Sequence, residues 1–361
     1  MFNHNLIGRP VKALRVLWIS PGFASDEEDD SCIPPLQLLA LALKNEKQDI
    51  SILTLAYPYK SSHYLWNGIQ IIPGYGWNGQ WFRWINWIRT VCHASRLHRE
   101  RKIDVIHSFW LGPAWIIGRF LAWRWQIPHV TTLMGQDTLS TNHYIKFLHK
   151  RQTETLVTLS NVHRRYLEKA IGKSDIRVIG WGLAQKEIPL TLSSGRPIDI
   201  LGCGSLIPVK NWPLWIDVVG KIILKFPTLQ AEIIGAGPEW MRLEQQIVTA
   251  GLQNNIRLQG KLSRVQSLQK MQQSKILLHT SNFESFGMVL LEAVSNGCRV
   301  ISTPVGIAPE IGTCGSEPDE LVALVLKCLE QAPEENRQAV PMIDETAAKY
   351  RSLYHQSMDH R

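Results

Sequence analysis

The chain reads as an α/β protein built from two parallel-sheet domains. Three observations point there. At 361 residues it is long for one core and comfortable for two. With 45% apolar and 19% charged residues it has the composition of a folded protein, not a disordered one. Short apolar runs alternate with helical patterns at intervals of roughly 30 residues, which is how βαβ units are written. Two such sheets in sequence would offer ligands the carboxyl ends of their strands.

Taken along the chain, the first feature is an acidic run, DEEDD at 26–30, followed by Cys32 and the pair Pro34-Pro35. Such a run is normally a solvated loop; the other reading is recognition of a cationic or polyhydroxyl acceptor, or of a divalent ion. LQLLALAL at 36–43 is apolar but far short of the ~20 residues that span a bilayer, and Met1 to Lys12 lacks the apolar core of a signal peptide. A cytoplasmic location is therefore expected. The six cysteines show no C-x-x-C spacing, so neither a zinc site nor a disulfide framework is suggested, and no metal is expected.

Charge is unevenly placed. Lys and Arg outnumber Asp and Glu by 23 to 14 over residues 1–190, whereas beyond them the balance is 16 to 17. The first half also holds eleven of the fourteen tryptophans, concentrated in WNGQWFRWINWIRTVCHASRLHR at 77–99. There Trp81, Trp84, Ile85 and Ile88 recur at helical spacing among Arg83, Arg89, Arg96 and Arg99. A basic helix with interfacial tryptophans fits an anionic membrane surface, with Trp81, Trp84 and Arg89 as the contacts. The plain alternative is that the rings pack inward and the arginines are solvated. No zinc-finger spacing or RNP sequence supports a nucleic-acid partner.

AQKEIPLTLSSGRPID at 184–199 is rich in Pro, Gly and Ser with little periodicity, so it is expected to link the domains. The expected boundaries are 1–184, a linker at 185–198, a second domain at 199–335 and a terminal helix within 336–361. In the second domain ILLHTS at 276–281 reads as a buried strand and MVLLEAVSNG at 288–297 as a short helix closed by Gly297. Between them Glu284 stands on a loop, and Glu292 lies about a turn and a half into the helix. Gly287 at the helix start would let a phosphate approach free backbone N–H groups. Two glutamates near a helix start are by themselves ordinary, because the helix dipole favours a carboxylate there.

The context makes them more than ordinary. Ser281 to Glu292 resembles the E-x7-E signature of the retaining family 4 glycosyltransferases, which have the GT-B fold of two Rossmann-like domains with parallel sheets facing across a cleft. ILGCGSLIPVKN at 200–211, AEIIGAGPEW at 231–240, NNIRLQGKL at 254–262 and RVISTPVGIAPEI at 299–311 resemble further motifs of that family, in order. LRVLWISPGF at 14–23, IDVIHSFWLGPA at 103–114, VTTLMGQD at 130–137 and VIGWGL at 178–183 are similar more loosely.

The resemblance implies a metal-independent transfer of sugar from a nucleotide-diphosphate sugar, a co-substrate rather than a cofactor, to a hydroxyl of a glycan or lipid-linked acceptor in surface polysaccharide or glycolipid synthesis. It implies that Lys210 and the amides near Gly287 and Met288 stabilise the departing diphosphate, that Glu292 takes the ribose hydroxyls and that Glu284 holds the sugar. Gly204, Ser205, Gly237 and Gly260 fall at donor-binding positions, and the terminal helix returns to the N-terminal domain. His107, Gln136 and Asp137 are candidates for the acceptor or sugar side, although a lone histidine after a strand is commonly structural. Two positions depart from the family pattern. Ser205 stands where relatives commonly have Arg, which leaves Arg264 or another basic residue to replace it, and Met134 stands where many carry a histidine. A catalytically weak protein that binds nucleotide sugar or a membrane partner is thus the alternative. An epimerase or phosphorylase of the same fold is disfavoured by the E-x7-E register, and a nicotinamide dehydrogenase by the absence of a full G-x-G-x-x-G.

Overall fold

The computed structural model describes residues 13–30, 32–74, 83–148, 154–172, 175–192, 195–331 and 339–359. Its packing divides the chain into two compact units: residues 1–133, 143–157 and 344–361 in one, residues 134–142 and 158–343 in the other. Residues 134–142 and 158–184, which the sequence placed in the first domain, thus pack with the second unit.

One sheet has the order β3-β4-β2-β1-β5-β6-β7-β8. Its strands are β1 (Arg15–Gly22), β2 (Asp49–Tyr57), β3 (Tyr64–Trp66), β4 (Ile69–Pro73), β5 (Val105–Phe109), β6 (His129–Thr132), β7 (Thr155–Thr158) and β8 (Arg177–Val178). β1 pairs in parallel with β2 and β5, and only the β3–β4 hairpin is antiparallel among the registered pairs. Central strands are covered on both faces, and β5 is buried at every residue, its polar His107 and Ser108 included. Helix α1 (Pro34–Asn45) opens on the Pro34-Pro35 pair, because proline costs nothing in a first turn whose N–H groups lack helical partners. Helix α2 (Arg83–Glu100) and helix α3 (Pro113–Trp125) send Ala94, Leu97, Ala114, Ile117 and Leu121 into a core with Leu17, Ile19, Leu53 and Ile106.

On α2 the inward face is Asn86, Thr90, Ala94 and Leu97, with Trp87 and Val91 partly buried against the core. Ile88 and Arg89 are exposed and Ile85 is half-buried, so the apolar stripe differs from the one the spacing suggested. Trp81 and the side chain of Trp84 lie outside the described residues. The acidic loop is ordered by three of its five carboxylates. Asp29 accepts from Ser25 N, Cys32 N and Tyr57 OH, Asp26 from Glu28 N, Asp29 N and Ser25 Oγ, and Glu27 from Asn67 N. These bonds fold the loop onto itself and tie it to β2 and the β3–β4 turn.

The final helix, α12 (Ile343–Asp359), joins the first unit through Tyr350 and Tyr354, both fully buried. His107 Nδ1 is hydrogen-bonded to Tyr354 OH at 2.7 Å and its Nε2 to Thr132 Oγ1 at 2.8 Å, while Thr132 Oγ1 meets Tyr350 OH at 3.0 Å. Trp18 Nε1 donates to Tyr354 OH at 3.3 Å.

The other sheet, order β11-β10-β9-β12-β13-β14, is parallel throughout. It comprises β9 (Ile198–Cys203), β10 (Ala231–Ile234), β11 (Ile256–Gly260), β12 (Ser274–His279), β13 (Arg299–Ser302) and β14 (Thr313–Cys314). Ile200, Ile233, Ile276 and Leu278 pack against Trp215, Val219 and Ile222 of one covering helix and Leu321 and Val325 of another. Strand order reverses between β9 and β12, and the loops leaving two such strands border the place where open parallel sheets bind ligands. Both carry candidate residues.

Candidate active site

The loop leaving β12 is held from three sides within the second unit. Thr280 Oγ1 donates to the carbonyls of Lys210 and Asn211 at 3.2 and 3.1 Å, and Asn282 N to Val209 O at 2.8 Å, which moors it to the loop after β9. Thr303 Oγ1 donates to Ser281 O at 2.6 Å and Ile307 N to Phe286 O at 2.8 Å, which moors it to the loop after β13. Here a glycine is required: Gly306 has φ +53°, and a Cβ on it would stand 2.1 Å from Phe286 O. On the third side Ser285 Oγ donates to Met134 O at 2.7 Å, and Ser160 Oγ donates to Ser285 O at 2.8 Å.

That fixed loop sets Glu284 down on a cation. Its Oε1 is ion-paired with Lys210, which ends a short 3-10 turn (Pro208–Lys210), and also accepts from His279 Nε2 and Ser281 Oγ, each at 3.0 Å. Burial alone would raise this carboxyl, but the hydrogen bond from His279 and the Lys210 charge outweigh it and pull the pKa down to about 2. Glu284 is therefore a fixed anion at any physiological pH.

The second glutamate meets a different cation. Helix α9 (Met288–Ser295) begins after Gly287, φ +90°, and carries Glu292 on a buried position. Arg264 opens the helix that follows β11, whose Ser263 cap and Gln266 form a capping box. Its Nη1 lies 2.8 Å from Glu292 Oε1 and its Nε donates to Glu187 Oε1 at 2.7 Å. Burial pushes the Glu292 carboxyl above the usual carboxylate range, against the opposing Arg264 charge. Arg264 Nη2 is buried with no hydrogen-bond partner among the described residues. Cys203, the last residue of β9, feels both pairs. Burial and then Glu292 raise its thiol to about 12, against Lys210 and Arg264.

The glycine turns lie beside these pairs. Gly204 N donates to Ile234 O and Gly235 N to Gly260 O, both at 2.9 Å, so the ends of β9, β10 and β11 are stitched edge to edge. A Cβ on Gly235 would come within 1.9 Å of Gly204 O, and one on Gly237 within 2.3 Å of Leu206 O. Ser205 is exposed and its carbonyl accepts from Trp212 Nε1 at 2.9 Å. It supplies no charge.

Residues 36–184 match the family model Glycosyltransferase Family 4, and residues 185–339 match Glycosyl transferases group 1. The chain belongs to the family 4 glycosyltransferases. An uncharacterised glycosyltransferase of Methanocaldococcus jannaschii is 30% identical over 58% of each chain, and the gpi3 subunit of Schizosaccharomyces pombe phosphatidylinositol N-acetylglucosaminyltransferase 38% over 28% of this chain and 22% of its own. The chain thus spans a little over half of the first relative and under a quarter of the second. Among solved structures, a sucrose-phosphate synthase from Thermosynechococcus elongatus is similar with a TM-score of 0.74 at 15% identity, over 96% of this chain and 100% of that one. Anabaena HepE in complex with UDP and glucose is similar at TM-score 0.66 and 17% identity, over 96% and 98%. These likenesses agree with the fold the family motifs implied.

In this family member the remaining sequence candidates divide. His107 is fully buried and both its ring nitrogens are bonded, so burial drives its pKa well down and no edge remains for a sugar. It is a structural residue. Asp137 turns back on its own loop, accepting from Gly135 N at 2.8 Å, whereas Gln136 is exposed. The Met134 backbone, not its side chain, serves the site by accepting from Ser285. Sequence reasoning missed His279, Glu187, Ser285 and His163, which donates to Gly135 O at 3.0 Å. His279 was visible in ILLHTS, but read there as one residue of an apolar strand.

Two other constellations lie apart. Ser108, His129 and Glu154 form a hydrogen-bonded chain at 2.9 and 3.1 Å, like a hydrolase triad. Gly118 lies against it so closely that a Cβ would stand 2.1 Å from Ser108 Oγ, which leaves no room for a substrate. A cavity of about 400 Å³ beside β13, lined by Cys298, Arg299, Glu310, Lys327 and Cys328 among others, includes none of the paired residues. No group of three or more His, Cys, Asp or Glu is placed to hold a metal, and no helix is long and apolar enough to cross a membrane, among the described residues.

Proposed function

We propose that the chain moves a sugar, with retention and without a metal, from a nucleotide-diphosphate sugar to a hydroxyl of a glycan or lipid-linked acceptor. The observation that carries this reading is the pair of buried carboxylate–cation contacts, Glu284 with Lys210 and Glu292 with Arg264, made by segments that follow β9, β11 and β12 of one parallel sheet. As the anomeric C–O bond breaks, negative charge grows on the diphosphate and positive charge on the ring. Lys210 and the backbone at Gly287 and Met288 supply the fixed positive potential for the leaving group. Glu284, held ionised, orients the sugar hydroxyls and sits near developing positive charge.

Glu292 has the position and burial to bind ribose hydroxyls, and Arg264, not Ser205, brings the second cation to the crevice. The UDP and glucose in the similar HepE structure support a nucleotide-sugar donor. The relatives acting on phosphatidylinositol support a lipid-linked acceptor.

The test is a panel of nucleotide sugars scored by thermal shift and by donor hydrolysis. One donor should stabilise the wild type and be turned over, and Glu292→Ala should lose the stabilisation. A second reading, a nucleotide-sugar-binding protein without turnover, draws on both glutamates already being neutralised by internal cations. Stabilisation without turnover by any acceptor would favour it, and no response to any nucleotide sugar would sink both.

A further inference from the structure

The cavity of about 400 Å³ beside β13 lies where the second sheet stops short. β14 pairs only alongside Ile301 and Ser302, so on that side Arg299 and Val300 of β13 have no registered strand partner. Helix α11 (Pro318–Glu330) forms the opposite wall. Its Leu324, Lys327 and Cys328, with Gln331 just past its end, recur at i, i+3, i+4 and i+7 and all line the cavity, whereas Leu321 and Val325 turn into the core. Buried Val294, Val300 and Ile301 add apolar surface. The lining also carries charge that the chain leaves uncompensated. Arg299 gives Nη1 to Gln331 Oε1 at 3.3 Å and Nη2 to Gln331 O at 3.5 Å, both neutral oxygens, and Lys327 is exposed. Neither cation is in an ion pair among the described residues. Glu310, the carboxylate in the lining, accepts from Asn161 Nδ2 at 3.0 Å, and Glu330 lies outside the lining. All of these residues belong to the second unit.

We infer that this cavity binds a small organic carboxylate, with its charged end on Arg299 and Lys327 and its apolar end on Val294, Val300 and Ile301. The size falls within the range of small-molecule sites, which combine apolar walls with a few placed polar groups. A guanidinium whose present partners are neutral gains from an ionised acceptor, because such a hydrogen bond is roughly twice as strong as a neutral one. An uncharged ligand forgoes that gain. A cationic ligand would add a third like charge beside Arg299 and Lys327, and Glu310 in the lining disfavours a dianion such as a phosphate ester. The inference stands apart from the transferase reading, since the cavity includes none of the paired residues and its occupant requires no donor.

The test is ligand-observed NMR of the full chain with hexanoate, using hexanol, hexylamine and hexyl phosphate as its neutral, cationic and dianionic counterparts. Hexanoate should bind in the millimolar range or tighter, and its binding should weaken as salt rises. Hexanol and hexylamine should bind at least about tenfold more weakly. Arg299→Gln should lower hexanoate affinity by about tenfold and Lys327→Gln, at an exposed position, by about threefold. Lys327→Gln alone serves if Arg299→Gln melts earlier than the wild type. Lys210→Gln should leave hexanoate binding unchanged. No binding of hexanoate, equal binding of hexanol, tighter binding of hexyl phosphate, or an affinity unmoved by Lys327→Gln overturns the inference. So does a loss of binding with Lys210→Gln, because the anion would then sit on the cation that meets Glu284.

Discussion

His279 Nε2 lies 3.0 Å from Glu284 Oε1, the same oxygen that takes Lys210 and Ser281. Three donors converge on one carboxylate oxygen, so the residue at the centre of the signature loop is both charged and immobile before any ligand arrives. Pre-organisation of this kind leaves little to reorganise during bond breaking.

The Glu284 carboxyl titrates at about 2 in the folded chain, below its unfolded value. A depressed folded pKa contributes stability that is complete above the unfolded pKa and is lost as pH falls through the folded one. Glu284→Gln should therefore be less stable than the wild type at pH 7, by on the order of 3 kcal/mol. The difference should shrink between about pH 4.5 and pH 2. Urea denaturation across that range measures it; a difference independent of pH would contradict the charged arrangement.

Arg264 offsets part of the burial cost of Glu292. With Arg264→Gln the Glu292 carboxyl should rise further, so the folded state binds its proton more tightly than the unfolded chain does. The stability linked to a raised pKa is present below the unfolded value and declines as pH climbs through the folded one. The variant's melting temperature should fall more steeply than the wild type's as pH rises above the ordinary carboxylate range. Adding Glu292→Gln should remove the extra slope. If the double variant keeps it, another group is responsible.

Tyr354→Phe removes the hydroxyl that His107 Nδ1 and Trp18 Nε1 share at the base of α12. Two buried polar groups then lose a partner, at a cost of about 1–3 kcal/mol each. Chemical denaturation should register that loss, while affinity for the donor that stabilises the wild type should stay unchanged, as expected of a buried cluster that holds none of the proposed binding residues. A large loss of donor affinity would return His107 to the sugar side.

Much of the second unit is legible in the sequence. Ile276–Ser281, the glycine turns at 202–204 and 235–237 and the helix at 288–297 are local: a buried strand, a turn and a capped helix each depend on neighbours in the chain, and periodicity and glycine placement record them. The E-x7-E spacing is local too, and its resemblance to the family signature is what marks it. Arg264 was considered only as a replacement cation, and its pairing with Glu292 and Glu187 was invisible because the three residues come from separate elements. His107 shows the converse. Its strand was readable, but its partner Tyr354 arrives from the far end of the sequence.

From the sequence alone came the two-domain α/β class, which follows from composition, periodicity and local turn chemistry, and the order of the motifs and the two glutamates, which their resemblance to the family signature marks out. Only the tertiary structure decided which cation each glutamate meets, that His279 and Ser281 share the Glu284 oxygen, that His107 is structural and which aromatics face water. Those outcomes depend on strand order in the sheets and on how much water each side chain loses, quantities that a linear spacing does not contain.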